Sequence, residues 1–111
     1  MIALAVLAAL SGAIAVGAGA YGAHGVSGEA AEWLRTGAHY QLVHAVAALA
    51  LLSRPGGAVA GWLFVAGGAL FAGTLYAMAL GAPRWLGAVT PIGGLGLIAG
   101  WVVLAVAALR T

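Results

Sequence analysis

Charged side chains are so rare in this 111-residue chain that they divide it into four long uncharged runs. The runs cover residues 1–28, 36–53, 55–83 and 85–109. A helix needs about 20 apolar residues to cross the ~30 Å hydrocarbon core of a bilayer. Three runs exceed that length, and the second reaches it if its helix begins earlier, among the charged residues that precede Thr36. The pattern therefore predicts four membrane-spanning helices.

Glycine and proline set the expected ends of these helices. The sequence predicts helices over residues 2–21, 28–53, 58–80 and 85–109. Residues 22–28 contain three glycines and favour a turn, and Pro55 is expected to end the second helix. Thr90 and Pro91 offer a second possible start for the fourth helix, as N-cap and first helical residue. Because the connections are short, we expect one all-α domain, an antiparallel four-transmembrane-helix bundle.

Composition supports a membrane location and excludes several classes of partner. Only 5% of the residues are charged, against about 25% in a soluble domain. The formal charge of +2 gives no surface for nucleic acid, and the absence of cysteine excludes disulfides and thiolate chemistry. We expect membrane lipid as the surroundings.

Arginines give little information on orientation, because they are evenly divided between the two ends of the predicted bundle. Arg35 and Arg84 lie at the end where helices 1 and 2 connect, and Arg54 and Arg110 lie at the other end. The N-terminal amine adds one positive charge to the second group, which favours cytoplasmic termini.

Nineteen glycines indicate close helix packing. Membrane helices associate through small residues, since lipid tails are as apolar as leucine. Examples of the spacing are the GxxxG pairs Gly57/Gly61 and Gly96/Gly100 and the small-xxx-small pairs Ala13/Gly17 and Ala69/Gly73. Such matches also arise by chance in a chain this rich in glycine and alanine. They are consistent with a homo-oligomer or a place in a larger membrane complex.

His44 is the polar residue that most needs an explanation. It lies nine residues before Ser53, about 13 Å along the predicted helix, and an ionisable group at that depth needs a partner or water. Tyr40 and Gln41 lie one turn away and can supply hydrogen bonds. Three interpretations remain open: structural hydrogen bonding, a transport or proton pathway through these three residues, and ligation of a metal or haem.

The other chemistry-bearing residues favour none of the common reaction types. Zinc and copper sites need three or four converging ligands, but His39 and His44 diverge by about 140° on a helix. At the headgroup level, Glu32 and Arg35 have the spacing of a surface ion pair. The chain lacks aspartate, and we expect neither an enzyme nor a cofactor.

Three segments resemble a known family. They are GAYGAHG at residues 19–25, YQLVHA at 40–45 and GAVTPIGG at 87–94, with GTLY at 73–76 and GW at 100–101 in support. They are similar to the YgdD-like family of small four-helix membrane proteins, which has bacterial inner-membrane members and eukaryotic relatives and no assigned function. The resemblance implies the same fold and a location in a bacterial inner membrane, and it draws attention to the matching polar positions.

The leading hypothesis is a small structural, accessory or self-associating membrane subunit. The candidate functional residues form one expected polar cluster: His24, Tyr40, Gln41, His44 and Thr90. Antiparallel packing should bring His24 or its loop near Tyr40 or Gln41, with Thr90 arriving from helix 4. Buried polar groups at that level cost free energy unless they pair, so we expect hydrogen bonds among helices 1, 2 and 4.

Overall fold

The computed structural model describes all residues from 1 to 111 and is all-α. Its elements are α1 (Ile2–His24), α2 (Gly28–Ala50), α3 (Gly57–Ala79), a 3₁₀ segment (Arg84–Ala88) and α4 (Thr90–Leu109). The prediction of an all-α fold with four long helices is confirmed. Three helical segments are long and apolar enough to cross a membrane, Ile2–His24, Gly57–Ala79 and Arg84–Leu109. Helix α2 falls short because of its charged first turns and its later polar residues.

Two helix ends differ from the sequence prediction. Helix α1 continues through Gly22 to His24, and the missing side chain of Gly22 lets Leu34 of α2 pack directly against its backbone. Helix α2 ends at Ala50 rather than Ser53. The ring of Pro55 would clash with the carbonyl of Leu51 in a continuing helix.

The start of the fourth helix combines both predicted alternatives. A 3₁₀ turn covers Arg84–Ala88, and the α-helix begins at Thr90 with Pro91 in its first turn. Thr90 is not the N-cap, a position that Val89 occupies. The Thr90 hydroxyl donates instead to the Leu86 carbonyl at 3.2 Å.

Consecutive helices pack side by side in opposite directions, and α3 contacts all three others. The end of α1 lies on the start of α2, through Gly22 and Leu34. Helix α2 in turn places Gly37 against Tyr76 near the end of α3. Helix α1 packs mainly on α2 and helix α4 on α3, so the α2–α3 pair is the centre of the bundle and α3 is the helix that contacts every other one.

Glycines bring the backbones of α3 and α4 into direct contact. A Cβ added to Gly93 would lie 2.7 Å from the Gly67 oxygen, and one added to Gly96 would lie 3.3 Å from the Gly67 Cα. Gly100 sits against the ring of Phe64, which is fully buried in the core with Leu97. The Gly96/Gly100 pair is therefore a real helix contact of the kind predicted.

Candidate functional site

Gln41 of α2 is paired with a side chain of α3. The Tyr76 hydroxyl donates to Gln41 Oε1 at 2.7 Å, and Gln41 is buried. Gly37, one turn earlier on α2, leaves room for the Tyr76 ring. The small residue and the amide together fix how α2 and α3 are rotated against each other.

His44 links α2 to α4. The Trp101 indole N–H donates to His44 Nε2 at 2.9 Å, so that nitrogen carries no proton. The hydrogen of the neutral ring is then on Nδ1, which donates to the Tyr40 carbonyl at 2.6 Å. His44 is only 6% exposed and lies six residues before the end of α2 at Ala50, about 9 Å along the axis. It is nearer to that end than the sequence suggested.

Around His44 the aromatic rings form a continuous group. Its ring centroid lies 5.0 Å from that of Phe64 and 5.7 Å from that of Trp101, both edge-on. Tyr40 stacks parallel to the imidazole at 6.4 Å and leans on Phe71 at 4.9 Å. Edge-on and tilted contacts add to the burial energy of such rings, so the neutral imidazole is held by packing as well as by its two hydrogen bonds.

Thr90 of α4 pairs with α3. Its hydroxyl lies 2.6 Å from that of Thr74, and both residues are buried. The Thr74 hydroxyl also reaches the carbonyls of Leu70 and Phe71, each at 3.0 Å. One threonine pair therefore ties the start of α4 to the last third of α3.

The surface at the start of α2 has an ion pair that differs from the expected one. Both guanidinium NH₂ nitrogens of Arg84 donate to Glu29 Oε1, at 2.7 and 2.6 Å, and the Arg84 guanidinium lies 5.3 Å from the Trp33 ring centroid. The predicted Glu32–Arg35 pair is not formed, since the salt bridge here is the one between Arg84 and Glu29. Both partners are more than half exposed, so the pair contributes little to stability.

The five candidate residues do not form the single cluster that was expected. His24 is exposed and has no hydrogen-bond partner within the chain, and the Tyr40 side chain is 44% exposed with its hydroxyl unpaired. The remaining three have separate partners: Gln41 bonds to Tyr76, His44 to Trp101 and Thr90 to Thr74. The expectation of one network across helices 1, 2 and 4 was wrong, because α3 lies between α2 and α4 at the level of Thr90.

The partners that sequence reasoning missed are Tyr76, Thr74 and Trp101. A signal was available for the first two: beside Trp62, they are the side chains of α3 that can form strong hydrogen bonds. Buried polar groups elsewhere in the bundle had to find such partners. Trp101 gave no comparable signal, because a tryptophan in an apolar helix usually serves packing or interface anchoring.

A groove opens at the side of the bundle between α2 and α4, with α3 as its floor. It has a cavity volume of about 360 Å³ and is lined by Tyr40, His44, Phe71, Gly94, Leu97, Ile98 and Trp101. Its polar groups are the free Tyr40 hydroxyl and the edge of His44. No three histidine, aspartate or glutamate side chains converge anywhere in the chain in a way that could hold a metal ion.

Comparisons with known proteins agree with this fold and with the sequence resemblance. Residues 18–94 match a family described as a protein of unknown function, DUF423. The chain is 40% identical to a UPF0382 membrane protein of Staphylococcus epidermidis, over 95% of this chain and 93% of that protein. It is 38% identical to the UPF0382 membrane protein YwdK of Bacillus subtilis, over 95% of this chain and 94% of that one.

The same similarity extends to a Gram-negative relative. The UPF0382 inner membrane protein YgdD of Escherichia coli is 38% identical over 95% of this chain and 88% of its own length. No solved structure matches. The resemblance to YgdD is confirmed, and the chain belongs to the DUF423 family, as an integral membrane protein whose biochemical role that family leaves open.

Proposed function

We propose that this protein crosses the bacterial inner membrane with four helices and acts there as a non-enzymatic, self-associating subunit. The single observation that carries the proposal is a stripe of small residues on the outer face of α1. Helices in lipid associate through such stripes, because small side chains allow close backbone approach. We place both termini in the cytoplasm, because the positive charges of the N-terminal amine, Arg54 and Arg110 lie at the same end of the bundle.

The fourth span in this proposal is α2. It has 23 residues, like α1 and α3, which is about 34 Å of helix and enough for the hydrocarbon core. Its polar residues at depth, Gln41 and His44, are buried against its neighbours and paired. Helix α2 can therefore lie across the bilayer although its own hydropathy is low, because the neighbours cover its polar side.

The α1 stripe lies opposite the side that packs on α2. Gly12, Gly19 and Gly22 face Ala45, Ala38 and Leu34 of α2, whereas nothing lies within 4 Å of a Cβ placed on Gly17. The outward stripe consists of small exposed residues: Ala9, Ala13, Gly17 and Ala20. A second copy could approach this face as closely as α4 approaches α3.

A structural role fits the buried polar groups better than transport does. No side-chain nitrogen or oxygen that is fully shielded from solvent lacks a hydrogen-bond partner, and both ring nitrogens of His44 are engaged. A proton relay or an axial haem ligand would need Nε2 to be free. Trp101 occupies it, so we place transport and haem binding behind the structural role.

Disulfide cross-linking in native membranes tests the proposal, because the natural chain has no cysteine to interfere. Gly17→Cys should give an oxidised dimer in high yield, since Cα atoms within about 7 Å can be bridged. Leu95→Cys is the control. Leu95 is exposed on α4 and, like Gly17, lies five to seven residues from the end of its helix at which α1 connects to α2. The control variant should stay monomeric.

A second variant checks that the small side chains matter. Ala13→Leu in the Gly17→Cys background should lower the yield of cross-linked dimer by at least several-fold, because leucine keeps the backbones apart. Equal cross-linking at residues 17 and 95, or none at either, would contradict self-association through α1. Finding only a lone monomer by native mass spectrometry, after gentle extraction, would remove the subunit role altogether.

A further inference from the structure

The α2–α4 side of the bundle carries two cavities that share one residue. The groove at His44 is one, and the second is a cavity of about 380 Å³ lined by residues that include Leu51, Arg54, Leu104 and Ala108. Trp101 lines both cavities. Trp101 stands between the two cavities, with nearly half of its surface exposed. We call the two cavities and the exposed side of Trp101 together the α2–α4 seam.

The seam follows one face of each helix. On α4 it extends from Gly94 to Ala108, which is about 21 Å of helix. One leaflet of the hydrocarbon core is about 15 Å deep. The seam can therefore accept an acyl chain over the full depth of a leaflet, and its aromatic and aliphatic lining suits one.

Charge is distributed unevenly between the two ends of the bundle. Both glutamates lie in the first two turns of α2, and Glu29 is paired with Arg84. At the opposite end, where the seam reaches the membrane surface, the ionisable side chains are Arg54 and Arg110. Arg54 lines the seam, is exposed and takes part in no salt bridge.

From these observations we infer that the α2–α4 seam binds one anionic glycerophospholipid. Its phosphate lies at Arg54, and an acyl chain runs past Trp101 to the Tyr40 and His44 rings. The inference rests on the proposed four-span topology, which puts Arg54 at the headgroup level, but not on self-association through α1. A guanidinium suits phosphate because it offers several donors in a fixed plane.

Arg110 provides a matched control for the headgroup. It lies at the same end of the bundle but lines a different cavity, with Val102 and Val106 on the other side of α4. If attraction to anionic lipid were general at this end, both arginines would contribute equally. A seated lipid depends on Arg54 alone.

Native mass spectrometry of the whole protein tests the inference. The protein is released from micelles containing equal amounts of phosphatidylglycerol and phosphatidylcholine with identical acyl chains, and lipid adducts are counted per monomer. Wild type should favour phosphatidylglycerol by about fivefold, the effect of one basic residue near an anionic headgroup. Arg54→Gln should abolish the preference, whereas Arg54→Lys and Arg110→Gln should keep most of it.

Variants that fill the groove test the acyl-chain part separately. Gly94→Leu places a side chain in the seam and should reduce adducts of both lipids by several-fold. Gly73→Leu is its control, since Gly73 is exposed on α3 with open space around it and points away from Phe71. A melting curve for each variant confirms that the bundle is folded.

Three outcomes would overturn the inference. They are equal wild-type binding of the two lipids, a preference that survives Arg54→Gln, and adduct levels that Gly94→Leu and Gly73→Leu change alike. Because adducts are counted on the monomer, the result does not depend on whether the α1 cross-links form. Failure of this experiment is thus distinguishable from failure of the self-association proposal.

Discussion

Adjacent glycines at the start of α4 allow a sharp test of how α3 and α4 are held together. A Cβ on Gly93 would lie 2.7 Å from the Gly67 oxygen and 2.8 Å from the Phe71 Cα, both backbone atoms that cannot rotate away. A Cβ on Gly94 would meet only the Phe71 ring at 3.6 Å, an ordinary contact. Gly93→Ala should therefore force the helices apart, and Gly94→Ala should not.

The expected difference follows from the costs at each position. Overpacking costs about 1–3 kcal/mol, and separation of the helices would also weaken the nearby Thr74–Thr90 bond, worth about 0.6 kcal/mol. Gly93→Ala should thus be less stable than Gly94→Ala by roughly 2–4 kcal/mol. Gly94→Ala should be neutral or stabilising by up to about 1 kcal/mol, because alanine is the better helix former.

Both changes in stability can be measured by equilibrium unfolding in mixed micelles. Circular dichroism follows the helix content as the fraction of denaturing detergent increases. Since the two variants add the same methyl group to neighbouring residues of one helix, intrinsic propensity cancels between them. Equal stabilities, or a more stable Gly93→Ala protein, would refute the backbone contact between α3 and α4.

Four further predictions concern the polar residues of the bundle. Trp101→Phe keeps a ring but removes the donor to His44 Nε2, so unfolding in mixed micelles should require about 0.6–2 kcal/mol less free energy. His44→Ala should leave proton flux into proteoliposomes at the wild-type rate, and a clear drop in flux would revive the pathway hypothesis. A double-mutant cycle of Gln41→Leu and Tyr76→Phe should give a coupling energy of about 0.6 kcal/mol. His24→Ala should leave the melting temperature unchanged, because His24 is exposed. A lower melting temperature would contradict the conclusion that His24 forms no stabilising contact.

Much of the fold was predictable because it depends on local composition. The spacing of six charged side chains identifies the helical segments, since an uncharged run of that length is stable only when its backbone bonds are satisfied within a helix. The helix ends were harder to predict. Gly22 looks like a breaker in isolation, yet it is helical and its role is to leave space for Leu34 of the neighbouring helix.

The candidate site was predictable as a set of residues but not as a set of pairs. His44 and Gln41 were recognisable as polar groups that required partners, because unpaired polar atoms are costly away from water. Which side chains they meet depends on the rotation and axial offset of each helix. Those quantities come from contacts far apart in the sequence, such as Gly37 on Tyr76, and no local pattern specifies them.

The sequence by itself determined that this chain consists of four long helices with almost no polar surface, because charge and glycine positions act locally. Only the tertiary structure decided that α3 is the central partner, that Trp101 occupies His44 Nε2, and that α2 and α4 leave a seam between them. The physical reason is the glycine contact at Gly67 and Gly93. It draws α4 tightly onto α3, and α4 then meets α2 chiefly through the tryptophan.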